Sequence, residues 1–334
     1  MKYFCLILAV AVFTLAPLLA AAQQNDRDRG IDLYRQGKHL EALMILEGVV
    51  KQKEYASDAE ALNYLGLAYA TSDDTKKARK MLEKAVKLQP QNSLYRSNLA
   101  YVYMLARQVD KSQQQAEKAL QIDPSNVSAL YVMGTANLWE GKLDNASVAA
   151  DKIIGIDPAF TQAYVLKSEV YIARLGKNIA EGSTIKDQID LLKQSADVLE
   201  EGLKRCQPSS ACKELKEKLE SAQVFHKHYS KDKSVIPAVA PASDPSVTPV
   251  KILRKPQASY TSNARSAGIT GTVRLAILLG ADGNIQHILK LRGLGYGLDE
   301  QALGAARQIE FQPKMKDGKP VSTVVTVEYS FSIY

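Results

Sequence analysis

Residues 59–92 read AEALNYLGLAYATSDDTKKARKMLEKAVKLQPQN, and residues 93–126, SLYRSNLAYVYMLARQVDKSQQQAEKALQIDPSN, repeat the same pattern. Three prolines, Pro90, Pro124 and Pro158, follow one another at intervals of 34 residues. A fixed period of this length indicates stacked helix-turn-helix units, each ended by a helix breaker. The middle of the chain is therefore predicted to be a repeat scaffold that binds other molecules.

Three regular units begin at Ala59, Ser93 and Val127. Their eighth positions hold small residues, as the close crossing of two helices requires: Gly66, Ala100 and Gly134. These positions resemble the tetratricopeptide repeat, which implies an α-helical solenoid over residues 25–229, with one less regular unit before the three and one after them. The last unit departs from the family pattern, because its second helix fits only if roughly sixteen residues are inserted around Gly176 to Asp190.

The concave face of a tetratricopeptide fold is where this resemblance places a ligand. The corresponding positions of the first helices carry aromatic and apolar residues: Tyr101, Met104, Tyr131, Leu138 and Trp139. An aromatic and apolar groove suits a peptide or a helix better than a single carboxylate. We therefore expect a protein partner there; the alternative is that these aromatic residues pack against the neighbouring repeat.

Composition allows two globular domains. The chain has 334 residues, of which 46% are hydrophobic and 24% charged, and its formal net charge is +7. Nucleic acid binding is not expected, because no dense Lys/Arg run or basic-aromatic stripe accompanies this charge. After residue 246 there are eleven Lys/Arg and six Asp/Glu residues, which favours a mild attraction to acidic partners or lipid headgroups.

The N-terminus predicts export. Lys2 precedes an apolar run from Phe4 to Leu19, and three alanines that end at Ala22 follow it. This pattern is typical of a signal peptide, residues 1–22, and so of a protein of the periplasm or cell envelope. The alternative is an uncleaved inner-membrane anchor, since the run is only slightly shorter than the ~20 residues that a spanning helix needs.

Two cysteines are predicted to form a disulfide. Cys206 and Cys212 flank a short turn between two helical stretches, and an exported protein meets oxidising conditions. Two thiols without neighbouring histidines leave a zinc shell half filled, and His226 and His228 are spaced so that a helix points them apart. No metal site is therefore expected.

The pattern changes after the helices. Residues 230–248 have no helical period, and four prolines fall between positions 237 and 249, which predicts a semi-rigid linker. Beyond it, hydrophobic residues alternate with a period of two over 272–279, 285–291 and 321–334, with a helical stretch from Leu298 to Ile309. Residues 249–334 are therefore predicted to form a small α+β domain with a three-stranded antiparallel sheet, each strand having one buried face, and Asp282-Gly283 closing a hairpin.

This region is similar to the C-terminal domain of TonB. The residues that carry the resemblance are Tyr260, Arg265, Gly268, Gly271-Thr272-Val273, Asp282-Gly283, Leu298-Asp299, Phe311-Gln312-Pro313 and Gly318-Lys319-Pro320. One position departs from the family pattern, because Thr261 stands where a proline usually follows the tyrosine.

The resemblance implies an envelope energy transducer. Its C-terminal domain would bind an extended segment of an outer-membrane TonB-dependent transporter, and its N-terminus would contact inner-membrane motor proteins. Strand addition to a free sheet edge is the physical mode. The contact residues expected on this basis are Gln257, Tyr260, Val324, Thr326, Glu328 and Ser330. The alternatives are a homodimer that occupies the same edge and a soluble periplasmic scaffold without energy transduction.

An enzyme is not expected. The sequence has no glycine-rich phosphate loop, no cluster of metal ligands and no nucleophile motif of the Gly-x-Ser-x-Gly type. Gly293, Gly295 and Gly297 precede a helix within the TonB-like region but lack the βαβ setting of a dinucleotide site. We therefore predict no catalytic residues and no cofactor.

Overall fold

The computed structural model describes four segments of the chain: residues 26–182, 184–206, 210–231 and 246–333. The predicted signal peptide, 1–22, lies outside the described residues, and so does the part of the predicted linker from 232 to 245. The contacts between residues divide the chain into two compact units, Met1–Met133 and Gly134–Tyr334.

The first unit is helical. Its described helices are α1 (26–35), α2 (His39–Val49), α3 (Ala59–Thr71), α4 (Thr75–Leu88), α5 (Ser93–Leu105), α6 (Val109–Ile122) and the first part of α7 (Val127–Trp139). Helix α3 begins where Asp58 accepts hydrogen bonds from the backbone N–H groups of Glu60 and Ala61, both at 3.0 Å, which satisfies two otherwise unpaired donors. A Cβ atom at Gly66 would lie 2.6 Å from Leu82, so the predicted small residue is a requirement of helix packing.

The second unit begins with the rest of the solenoid: the end of α7, then α8 (Leu143–Ile156), α9 (Thr161–Glu181), α10 (Ile185–Arg205) and α11 (Ser210–Lys231). Helices α9 and α10 have 21 residues each, whereas α8 has 14. The extra residues that the repeat pattern required around Gly176 to Asp190 therefore lengthen both helices.

Strands and two short helices follow: β1 (Val247–Thr248), β2 (Lys251–Arg254), α12 (Ser262–Ser266), β3 (Gly271–Leu279), β4 (Ile285–Arg292), α13 (Leu298–Ala306), β5 (Glu310–Gln312), β6 (Lys314–Lys316), β7 (Lys319–Val321) and β8 (Thr323–Phe331). The main sheet is antiparallel in the order β4-β3-β8. The predicted fold class, a helical solenoid followed by an α+β domain with a three-stranded antiparallel sheet, is confirmed.

Two smaller sheets accompany the main sheet, and the sequence did not predict them. Strand β2 pairs with β5, and β6 pairs with both β1 and β7. The single strand expected over 321–334 is accordingly interrupted, since β7 ends at Val321 and β8 begins at Thr323.

The main sheet buries both faces, whereas the sequence predicted one. Val273, Leu275 and Phe331 lie in a core on the side of α12 and α13. The opposite side carries Ala276, Leu278, Leu289, Leu291 and Val324, which pack with residues of α9, α10 and α11, among them Leu175, Leu192 and Phe225. The last solenoid helices therefore form the second layer of the C-terminal sheet.

Candidate functional site

Strand β8 is an edge of the main sheet. One contact shows which of its backbone N–H and C=O groups point away from β3. The carbonyl oxygen of Glu328 accepts a hydrogen bond from Lys255 Nζ at 3.0 Å, so it points away from β3. In an antiparallel strand the N–H and C=O of one residue point to the same side, and alternate residues share that direction. The backbone groups of Val324, Thr326 and Ser330 therefore also point outward.

The segment from Lys255 to Tyr260 lies beside this edge. Lys255 Nζ is 5.2 Å from the ring centroid of Tyr329, and the rings of Tyr260 and Phe331 are 5.8 Å apart in an edge-to-face arrangement. Tyr260 also donates a hydrogen bond to the carbonyl of Ile269. The structure thus brings together the two stretches that the sequence marked separately, around 257–260 and along 324–330.

The side chains along this strip differ in exposure. Gln257, Thr326, Glu328 and Ser330 are exposed, and Glu328 forms a salt bridge with Arg274 at 2.6 Å. Val324 was expected to lie at the contact, and its side chain is only 6% exposed. It packs under the solenoid helices, so only its backbone groups remain at the edge.

The opposite edge strand, β4, lies near a cluster of charged side chains. Lys290 on β4 pairs with Asp299 at 2.9 Å, and Lys218 on α11 pairs with Glu169 on α9 at 2.7 Å. Burial acts to raise the pKa of Glu169, but Lys218 and Lys290 outweigh it and hold that pKa below its usual range. Lysine at a strand edge opposes the addition of another strand, and the sequence had not revealed this cluster because its members are distant along the chain.

A second obstruction lies at the end of β4. A Cβ atom at Gly176 of α9 would lie 2.9 Å from Leu291 Cβ and 3.0 Å from Leu291 O. The helix backbone therefore lies directly against β4. Two register shifts also interrupt the pairing of β4 with β3, and such bulges discourage further pairing.

A cleft of about 1200 Å³ opens between β4 and the helices of the second unit. Leu138 and Trp139 line it together with Ile172, His287 and Lys290. Trp139 is 42% exposed. These two predicted groove residues therefore face the C-terminal sheet.

The other predicted groove residues belong to the first unit. Tyr101 is 37% exposed, Tyr131 is half-buried, and Met104 is 7% exposed. The expectation for Met104 is corrected, because its side chain packs in the core with Ala100 and Ala116.

Two further tyrosines belong to this surface of the first unit. The rings of Tyr34 and Tyr64 lie 5.6 Å apart, and the Arg35 guanidinium lies 5.2 Å from the Tyr64 ring centroid. Burial raises the pKa of Tyr34 to about 12, with smaller contributions from Tyr101 and Tyr64. Sequence reasoning missed Tyr34 because it lies in the irregular first repeat.

Cys206 and Cys212 form a disulfide with their Cα atoms 5.8 Å apart, and it joins the end of α10 to α11. Within the described residues, no three or more His, Cys, Asp or Glu side chains are grouped to hold a metal ion. None of the helices in the described part of the chain has the length and apolar character that crossing a membrane requires.

Comparison with known proteins identifies both regions. Residues 256–333 match the family described as Gram-negative bacterial TonB protein C-terminal, and residues 27–134 match the family described as Psidin, N-terminal TPR repeats region. Protein TonB of Vibrio cholerae serotype O1 (strain ATCC 39315 / El Tor Inaba N16961) is 36% identical over 87 residues, which are 25% of this chain and 35% of that protein. The chain thus spans about a third of the length of this relative.

Two solved structures are similar to part of the chain. TTC0263, a thermophilic TPR protein in Thermus thermophilus, is 17% identical with a TM-score of 0.49, over 60% of this chain and 99% of that one. MamA from Desulfovibrio magneticus RS-1 is 20% identical with a TM-score of 0.42, over 56% of this chain and 97% of that one. The matched TonB and TPR families are non-enzymatic. The chain therefore combines tetratricopeptide-like repeats with a C-terminal domain of the TonB type.

Proposed function

We propose that the chain is a cell-envelope adaptor of the TonB type, which binds an extended segment of an outer-membrane TonB-dependent transporter by strand addition to β8. One observation carries the proposal: β8 offers outward backbone groups at Thr326, Glu328 and Ser330, whereas α9 lies against β4 at Leu291 and charged side chains flank that strand. In the described main sheet, β8 is therefore the edge left for an incoming strand.

Backbone hydrogen bonds between β8 and the incoming strand would stabilise this contact. Each backbone hydrogen bond contributes about 0.5–1.5 kcal/mol net, so a strand that pairs along β8 gains several kcal/mol before side chains are counted. The incoming strand replaces Lys255 as the partner of the Glu328 carbonyl. The exposed side chain of Ser330 would then contribute sequence preference.

The repeats supply a second part of this function. The tyrosine surface of the first unit, formed by Tyr34, Tyr64 and Tyr101, has flat faces and hydroxyl groups that suit a peptide partner. The adaptor would thus hold one protein through its repeats and the transporter through β8. Contact with inner-membrane motor proteins, and hence energy transduction, further requires the apolar run from Phe4 to Leu19 to remain as an anchor.

Thr326→Pro tests strand addition. The variant removes an outward N–H group but no bond to β3, and proline is tolerated on edge strands. We expect at least a tenfold weaker affinity, about 1.4 kcal/mol, for a synthetic peptide that carries the TonB-contacting segment of an outer-membrane transporter, measured by fluorescence anisotropy.

Two controls accompany this variant. Thr326→Val keeps the N–H group, and Tyr101→Ala changes the first unit only, so both should bind the peptide as the wild type does. Strand addition at β8 is wrong if Thr326→Pro keeps its circular dichroism spectrum and still binds the peptide with wild-type affinity.

A further inference from the structure

The small ladders of the C-terminal domain form a basic ribbon, which we define as β1 and β2 on one side, β5 and β6 on the other, and β7 next to β6. The registers place Lys251 opposite Gln312, Arg254 opposite Glu310 and Lys316 opposite Lys319. Only Pro313 separates β5 from β6, so the alternation of side chains continues along both strands. Phe311 points into the core, and the other side of the ribbon therefore carries five cations: Lys251, Arg254, Lys314, Lys316 and Lys319.

Little negative charge offsets these cations. Glu310 forms a salt bridge with Arg254 at 2.9 Å. For the four lysines, no described carboxylate lies within the 4.0 Å that defines an ion pair. Lys251, Lys316 and Lys319 are exposed. These five residues account for nearly half of the eleven Lys/Arg residues after residue 246.

One apolar side chain is well exposed on the same ribbon. Leu253 is 53% exposed, whereas Ile252 pairs with Phe311 and so lies on the side that faces the core. Leu253 lies at the register shift between Ile252 and Arg254, and a bulge of this kind turns a side chain away from the ladder. Exposed aliphatic residues between cations are typical of surfaces that bind the interface of an anionic bilayer.

We propose that the basic ribbon docks the second unit on an anionic phospholipid surface. The lysines contact headgroup phosphates, while Leu253 reaches the boundary with the acyl chains. A nucleic acid fits less well, because the ribbon strands carry no exposed aromatic side chain on which bases stack. None of the ribbon residues belongs to β8, so the proposal does not depend on transporter binding.

The test compares vesicle binding of the wild type with that of Lys251→Gln/Lys316→Gln/Lys319→Gln. The chain is produced from Gln23 onward, which keeps every described residue and removes the apolar N-terminal run. Vesicles contain phosphatidylcholine alone or with phosphatidylglycerol, and the bound fraction is measured by sedimentation. Each lysine near an anionic surface contributes about fivefold in partition coefficient, so the triple variant should bind about 100-fold more weakly.

A matched control removes the same charge elsewhere in the second unit: Lys186→Gln/Lys204→Gln/Lys216→Gln, all exposed on helices. It should bind phosphatidylglycerol vesicles as the wild type does. Leu253→Ser should weaken the binding that remains at about 0.5 M salt, where electrostatic attraction is screened.

Three results would overturn the proposal. The ribbon has no role if its triple variant binds as the wild type does, and binding is a matter of net charge if the control variant loses as much. If the wild type ignores the vesicles but binds poly-glutamate through the same lysines, the surface recognises acidic protein instead of lipid.

Discussion

The Asp299 carboxylate joins strand β4 to the loop that precedes α13. Its Oδ1 accepts hydrogen bonds from the backbone N–H groups of Leu294 at 2.7 Å and Gly295 at 3.1 Å, and its Oδ2 accepts one from Lys290 at 2.9 Å. A side chain at Gly293 would collide with this carboxylate. The sequence pattern indicates only a helix N-terminal residue at Asp299, whereas the structure makes it the group that links the glycine-rich loop to the β4 edge.

Acid should destabilise the folded chain, because it protonates the Asp299 carboxylate. Burial acts to raise the pKa of Asp299, but Lys290 and the two backbone N–H groups outweigh it, so the folded-state pKa lies below the usual value. The ionised carboxylate therefore stabilises the folded chain above its unfolded-state pKa of about 4, and this stabilisation is lost as the pH falls through the lower, folded-state value.

Asp299→Asn should lower the free energy of unfolding by about 1–3 kcal/mol at neutral pH. On acidification, this free energy should fall less in the variant than in the wild type. The measurement is the urea midpoint between about pH 6 and pH 3. Glu300→Gln, an exposed neighbour with the same charge change, should leave both quantities near those of the wild type. An unchanged pH dependence in Asp299→Asn would show that other groups cause the acid sensitivity.

At the scale of elements, the length of α9 determines how the solenoid contacts the sheet. The residues beyond a normal repeat helix bring Leu175 and Gly176 to β4, where Gly176 lets the helix backbone approach Leu291. The same approach leaves β8 as the edge open to a new strand. A helix with a side chain at this position could not pack so closely without displacing β4.

Gly176→Ala should therefore destabilise the second unit. Alanine favours an isolated helix by up to about 1 kcal/mol over glycine, but the added Cβ would overpack the junction at a cost of about 1–3 kcal/mol. Gly155→Ala in α8 is the matched control, because no heavy atom lies within 4 Å of its added Cβ. Thermal unfolding should shift down for Gly176→Ala and up for Gly155→Ala; an upward shift for both would mean that α9 does not press on β4.

At the scale of the whole molecule, the proposed function depends on whether the chain is tethered. The predicted signal peptide, 1–22, implies a released adaptor, whereas the same residues left in place would anchor an energy transducer. Both forms keep the β8 edge and the tyrosine surface of the first unit. Only the tethered form could transmit force from the inner membrane.

We expect the protein recovered from the cell envelope to begin near Gln23, because the alanines before it are typical of a signal cleavage site. Intact mass and N-terminal peptide analysis of separate inner-membrane and soluble periplasmic fractions check this. A chain that retains Met1 and is found in the inner membrane would contradict it and favour energy transduction.

Much of the architecture could be predicted because it depends on local periodicity. The recurrence of Pro90, Pro124 and Pro158 predicts stacked helix pairs, and the alternation in 272–279 and 285–291 predicts a hairpin. The short ladders of β2 with β5 and of β1 with β6 escaped prediction because strands of two to four residues carry almost no periodic signal. Met104 was misplaced because a groove position and a core position are neighbours on the same helix.

The sequence by itself determined the repeat, the α+β class of the C-terminal domain and the stretches that flank the β8 edge, since each follows from residues close together in the chain. Only the tertiary structure decided that Val324 is buried and that α9 lies against β4. Both depend on α9 and α11, which lie more than fifty residues away from the strands that they touch. Burial of a sheet face is a property of the layer packed on it, and no pattern within the strands specifies that layer.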